Sequence, residues 1–188
     1  RLLAEAVREM RRVGGLPAPE AALGEGPNGA FRAVRLPVSV DLPMSVGIPG
    51  DYVTDQNLRL RLYRRLASLD TEEEVQAMQD ELADRFGPPP EDVLNLLVQM
   101  RIKLRAETAG LASVTVESGQ VVLRYPPLPE SVGSRSLPFI GPQARAGKNA
   151  YWMPLAGLNG DWPQLLLEVL SAIIEANQPS SSQSAPAN

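Results

Sequence analysis

A chain of 188 residues without a single Cys or His cannot form a disulfide, a thiolate or imidazole metal site, or any catalytic device built on a His base or a Cys nucleophile. Its formal net charge of −4 argues against bulk attraction to nucleic acid or to an anionic membrane, and leaves open only a local basic face. No apolar run reaches the ~20 residues that span a bilayer and no signal peptide opens the sequence, so a cytoplasmic protein with no membrane role is expected, of one domain or two small ones.

The first residues already read as a helix, with Leu3, Val7 and Met10 on one face and Gly14 and Gly15 as its stop. Because this helix over 1–13 starts without a cap, the sequence is expected to be a piece of a longer polypeptide. Residues 14–30 are rich in Gly, Pro and Ala without an apolar period, the composition of a linker. Val34, Leu36, Val38, Val40 and Leu42 then alternate as in a half-buried strand, which Pro37 consigns to a sheet edge or a bulge.

Three helices follow with hardly a spare residue between them. Thr54 or Asp55 caps the first, which runs over 57–69 with Leu58, Leu62, Leu66 and Leu69 in one stripe and Arg61, Arg64 and Arg65 on the far side. Thr71 and Glu74 have capping-box spacing for the second, whose apolar stripe is Val75, Met78, Leu82 and Phe86. Gly87 ends it, and the prolines at 88–90 lack the amides another turn would need. Pro90, Glu91 and Asp92 suit the first turn of the third helix, Val93, Leu97, Met100 and Leu104 its buried face, and Arg101, Lys103 and Arg105 its negative end before Gly110.

Beyond Gly110 the period changes to that of strands. Val114 and Val116, a Ser118-Gly119 turn and the run from Val121 to Tyr125 predict a hairpin. Residues 126–150 read as an irregular loop with a short strand near 137–140, and 151–155 as one more strand. Asp161 is placed to cap a last helix with Pro163 in its first turn and Trp162, Leu166, Val169 and Ile173 facing inward, and the Ser-, Pro- and Gln-rich stretch 177–188 is expected to be disordered. The class is α+β, a cluster of amphipathic helices packed on a small, mainly antiparallel sheet. The domain bounds drawn from this are 31–176.

Little catalytic chemistry is on offer. Gly24, Gly26 and Gly29 imitate a phosphate loop only superficially, since no strand feeds them and no helix follows. Glu72, Glu73 and Glu74 sit in a first helical turn, where negative charge is stabilising without any acid–base role. The segment is expected not to be an enzyme by itself and to hold no cofactor or metal. More informative are Glu81, Asp84 and Arg85, which share a helix face, with Asp84 in the last turn, where a carboxylate opposes the dipole at roughly 0.3–1 kcal/mol. The local Glu81–Arg85 pair with solvent, or a basic surface elsewhere, would offset that. The cluster Arg59, Arg61, Arg64 and Arg65 raises a rival reading, an independent nucleic-acid- or peptide-binding module; with aromatics at only 5%, few stacking platforms for single strands exist, so a solvated face or an interdomain contact ranks above nucleic acid.

Pro49, Asp51-Tyr52, Asp55, Asn57, Leu62-Tyr63, Arg65-Leu66-Ala67, Glu81-Leu82, Asp84-Arg85-Phe86-Gly87, Asn95-Leu96-Leu97 and Arg101-Ile102-Lys103 form a long composite signature. It resembles the C-terminal domain of bacterial transcription-repair coupling factors, densely over 49–110 and more thinly to 125; residues 126–150 depart from the pattern. The resemblance implies a non-catalytic regulatory domain of an ATP- and Mg-dependent DNA translocase that releases stalled RNA polymerase from duplex DNA and recruits excision repair through UvrA. It also implies that the domain holds a closed resting state by packing Glu81, Asp84 and Arg85 on a UvrB-like N-terminal module of the same chain, and that 1–13 ends the preceding translocase region.

Overall fold

The computed structural model describes residues 38–128, 135–155 and 160–178. The expected helix at 1–13, the linker at 14–30, the start of the first strand and the tail from 179 lie outside the described residues.

The chain enters as β1 (Ser39–Asp41) and passes through α1 (Gln56–Ala67), α2 (Glu72–Phe86) and α3 (Glu91–Thr108) before returning to the sheet. It continues with β2 (Ser113–Glu117), β3 (Gln120–Arg124), β4 (Arg145–Ala146), β5 (Ala150–Pro154) and α4 (Trp162–Asn177). The sheet order is β1-β2-β3-β5-β4. β1 pairs with β2 in parallel, Val40 opposite Val114, and every other pair is antiparallel. The expected α+β class holds. The single parallel pair follows from connectivity, because three helices lie between β1 and β2 and allow the chain to re-enter in the same direction. β1 is an edge strand with Val38 and Leu42 buried on the core side, as the alternation and Pro37 imply.

Local signals account for the helix ends. Asp55, rather than Thr54, caps α1 and its carboxylate accepts from the Leu58 amide; the helix stops at Ala67, so Leu69 packs from the following turn. Both bonds of the Thr71–Glu74 capping box form at α2. Gly87 stands at φ +85°, ψ −172°, a region essentially confined to glycine. Gly87→Ala is expected to cost about 1–3 kcal/mol of stability in urea denaturation, from the backbone alone, since no atom lies within 4 Å of the added Cβ. A loss below about 0.5 kcal/mol would show that the turn simply relaxes. At the end of α3 the Leu111 amide donates to the Ala106 carbonyl and the Gly110 amide to Glu107, with Gly110 at φ +74°, a Schellman stop. The β2–β3 turn places both Ser118 and Gly119 at positive φ, the sign pattern that matches hairpin twist.

Two hydrophobic cores share α3. One joins α1, α2 and one face of α3 through Leu62, Leu66, Val75, Met78, Leu82, Val93, Leu97 and Leu104, and the other joins the sheet, α4 and Ile102, Ala106 and Ala109. The stripe read from the sequence for α3 is therefore half of the answer. Val93, Leu97 and Leu104 are buried and Met100 partly so, but Leu96, Ile102 and Ala106 are buried as well, because α3 is covered on two sides. α4 likewise buries Leu167 and Leu170 beside Leu166, Val169 and Ile173, while Trp162 is only partly covered.

Three further expectations are corrected. No strand forms at 137–140; Leu137 and Ile140 pack against the core without pairing, Pro138 has no amide to donate, and its carbonyl accepts from the Tyr151 hydroxyl at 2.9 Å. The strand of this loop is instead β4, two residues on the edge beside β5. Asp161 occupies the cap position of α4 but its side chain caps nothing, since its backbone is already turned (φ −84°, ψ 4°) and Pro163 offers no amide; its carbonyl accepts from Leu165. Asn177 belongs to α4 and not to the tail, donating to the Ala109 carbonyl and to the Tyr125 hydroxyl oxygen. The Tyr151 hydroxyl is pushed up to about 12 by burial and by the neighbouring Tyr125, so it stays a donor at any working pH.

Candidate interdomain contact surface

Two of the three residues singled out on α2, Glu81 and Arg85, are brought together with a third from α1, Arg65. Arg85 Nη1 lies 2.9 Å from Glu81 Oε1, the helical i,i+4 pair expected from the spacing, and Arg65 Nη1 lies 2.6 Å from Glu81 Oε2. The two guanidinium groups, Arg85 first and then Arg65, hold the Glu81 carboxyl below its ordinary range. Glu81 is half-buried between them, and its charge is answered within the domain.

Asp84 is different. It is exposed on the last turn of α2 and forms no ion pair or hydrogen bond among the described residues. The dipole cost expected for it is therefore offset by nothing in the described fold.

The platform under these residues is rigid for a reason absent from the sequence reading. Tyr52, from the loop before α1, sets its hydroxyl 2.9 Å from both the Leu82 and Gly87 carbonyl oxygens and donates between them. Its ring meets Phe86 edge-on at 5.8 Å, and the Arg85 guanidinium covers the Phe86 ring at 5.2 Å. Burial raises the Tyr52 hydroxyl above its usual range, which keeps the donor in place. Tyr52 could have been suspected only because an aromatic residue in a polar loop needs a partner for each end; nothing in the spacing pointed to α2.

The four arginines of the α1 cluster do not make one field. Arg59 donates to the Val53 and Thr54 carbonyl oxygens and pins the loop that precedes its own helix, while Arg65 is committed to Glu81. Only Arg61 and Arg64 remain exposed and without ion pairs or hydrogen bonds among the described residues. The Asp55 carboxyl is held below its ordinary range first by the Leu58 amide and further by the charges of Arg61 and Arg59. Glu72 and Glu74 likewise have structural tasks, Glu74 in the capping box and Glu72 bonded to Arg105.

Comparison with known proteins agrees with this fold. The TRCF domain model matches residues 42–133, which contain all of α1, α2, α3 and the β2–β3 hairpin. The transcription-repair-coupling factor of Mycobacterium tuberculosis is 39% identical over 99 residues, 52% of this chain and 8% of that protein. That of Rickettsia conorii is 47% identical over 87 residues, 46% of this chain and 8% of its own length. The chain thus spans only 7% to 12% of the length of the curated relatives it matches. A crystal structure of the C-terminal domain of a transcription-repair coupling factor superposes with a TM-score of 0.62 at 17% identity, covering 74% of this chain and 93% of that one, a likeness of fold. Among the described residues no helix is long and apolar enough to cross a membrane. The helical unit, its hairpin and the signature residues on them make this chain a carrier of the TRCF domain, the kind that ends transcription-repair coupling factors.

Proposed function

We propose that this is the regulatory domain of a longer, ATP-hydrolysing DNA translocase that removes stalled RNA polymerase and recruits excision repair, and that the domain itself performs no catalysis. In this reading the α2 surface packs on a UvrB-like module of the same polypeptide in the resting state and hides the surface that UvrA binds. The observation that supports it is Asp84, an exposed, unanswered carboxylate held on a braced platform beside the Glu81–Arg85 pair. A basic patch on a neighbouring module would supply the countercharge that this helix end lacks. Such a contact regulates only through a difference between closed and open states, so its loss shifts the population towards the open one.

Asp84→Ala in the complete polypeptide is expected to raise both UvrA binding and ATPase rate by about 5- to 20-fold, the scale of a coupling of about 1–2 kcal/mol. Glu81→Ala should act in the same direction by a smaller factor, since Glu81 is already shared by Arg65 and Arg85. Unchanged values in both assays, with circular dichroism showing an intact fold, would remove these residues from the mechanism.

A further inference from the structure

A carboxylate on the last turn of a helix is presented in one place only if that turn is held, and helix ends fray because their final carbonyls lack partners. α2 stops at Gly87, whose amide donates to the Ala83 carbonyl at 3.0 Å, and the prolines at 88–90 bring no further amide to the turn. Tyr52 supplies the missing donor. Its hydroxyl lies 2.9 Å from both the Leu82 and the Gly87 carbonyl oxygens, and these two residues bracket Asp84 and Arg85. Among the described residues no other side chain donates to a carbonyl between Leu82 and Gly87. Tyr52 is itself fixed from several sides. The following residue, Val53, is buried in the core shared by α1 and α2, and its amide donates to the Pro49 carbonyl at 3.1 Å. From α1, Arg59 donates to the Val53 and Thr54 carbonyls. The Tyr52 ring rests edge-on against Phe86, so packing as well as the loop aims the hydroxyl. A continuous path of contacts thus runs from α1 through Arg59 and the loop to the end of α2.

We infer that Tyr52 is a positioning residue for the Asp84 surface: its hydroxyl clamps the last turn of α2, so that the Asp84 carboxylate meets its countercharge already ordered. Tyr52 acts through the two carbonyls and not by contact with the neighbouring module. The inference rests on the regulatory reading of Asp84 and deepens it, by naming what holds that group ready. On a frayed turn the same carboxylate would have to give up the freedom of the turn on docking, which weakens the contact without removing any group from it. Arg85 cannot take over this task, since it is engaged with Glu81 and with the Phe86 ring and donates to no carbonyl of the turn among the described residues.

Tyr52→Phe tests this, because it keeps the ring against Phe86 and removes only the hydroxyl. In the complete polypeptide, hydrogen exchange over Asp84 to Gly87 is expected to speed up about fivefold, with the middle of α1 and of α3 unchanged. UvrA binding and ATPase rate should each rise about threefold, less than in Asp84→Ala. In the Asp84→Ala background, Tyr52→Phe should add nothing to either assay, because it acts through that carboxylate. Unchanged exchange over Asp84 to Gly87 overturns the inference. So does faster exchange without a rise in UvrA binding, in a protein whose UvrA binding Asp84→Ala does raise. An equal rise in both backgrounds overturns it as well, since a general loosening of the domain has that signature. If Asp84→Ala changes neither assay while Tyr52→Phe still speeds exchange over Asp84 to Gly87, the regulatory reading falls and the clamp on the turn stands.

Discussion

Ile102→Ala is expected to lower the unfolding free energy by about 3–4 kcal/mol, and the thermal midpoint by about 10 °C. Ile102 is fully buried on the side of α3 that faces the sheet and α4, among Val114, Tyr151 and Leu166 of the same core. Its removal leaves a cavity in a place fixed by a sheet on one side and a helix on the other, where little can move in to fill it. Met100→Ala makes the comparison, since Met100 is only partly buried at the rim of the other core and should cost about 1 kcal/mol. Equal losses at the two positions in urea denaturation would show that α3 does not stand between two packed layers.

Arg105→Ala is expected to cost about 2–3 kcal/mol at neutral pH, more than any ordinary surface ion pair. The guanidinium meets Glu72 with two bonds, Nε to Oε1 at 2.6 Å and Nη2 to Oε2 at 2.9 Å, and its Nη1 donates to the Leu167 carbonyl and to Ser171 Oγ, each at 2.9 Å. One side chain of α3 thereby ties the start of α2 to the middle of α4 and joins the helical unit to the sheet-bearing half. Its loss would leave the Glu72 carboxylate without its bidentate partner. The Arg105 hydrogen bonds and charge hold the Glu72 carboxyl below its unfolded value of 4.5, and Glu72 in turn raises Arg105. A depressed carboxyl contributes its full stability above the unfolded value and loses it as pH falls below 4.5 through the folded value. The parent protein should therefore lose more stability than Arg105→Ala between about pH 7 and about pH 3, and the gap between the two should narrow towards the acid end without closing, since the bonds to Leu167 and Ser171 do not titrate. With the Glu72 side chain 35% exposed, solvent screening keeps this pH-dependent part to a fraction of the total loss. Parallel pH profiles would show that the pair does not couple to folding.

How much of the molecule was legible can be judged residue by residue. Thr71 and Glu74, Gly87, Gly110 and Ser118-Gly119 act where their spacing places them, because caps and turns are satisfied by atoms a few residues away. Glu81–Arg85 was readable for the same reason, as an i,i+4 pair. Arg65 reaching Glu81, Tyr52 bridging to Leu82 and Gly87, and Arg105 joining Glu72 to Leu167 and Ser171 were not, since each closes a loop of 16 to 66 residues and no periodicity encodes which two helix faces meet. The expected strand at 137–140 failed on the same ground. Its alternation was compatible with pairing, but the place beside β5 went to Arg145–Ala146, and Leu137 and Ile140 became packing residues. The cluster Arg59 to Arg65 looks like one basic face in sequence and divides in space between a loop, an ion pair and solvent.

By itself the amino-acid order determined that there are three capped helices and a hairpin, that no disulfide or His- or Cys-based chemistry is available, and that the TRCF signature is present, because each depends on composition or on neighbours within a turn or two. Only the tertiary structure decided that α3 is buried on two sides and that Glu81 is answered while Asp84 is not. Those outcomes depend on how distant helices are set against one another. That placement follows from the burial of the whole apolar surface at once, and no local stretch of sequence carries it.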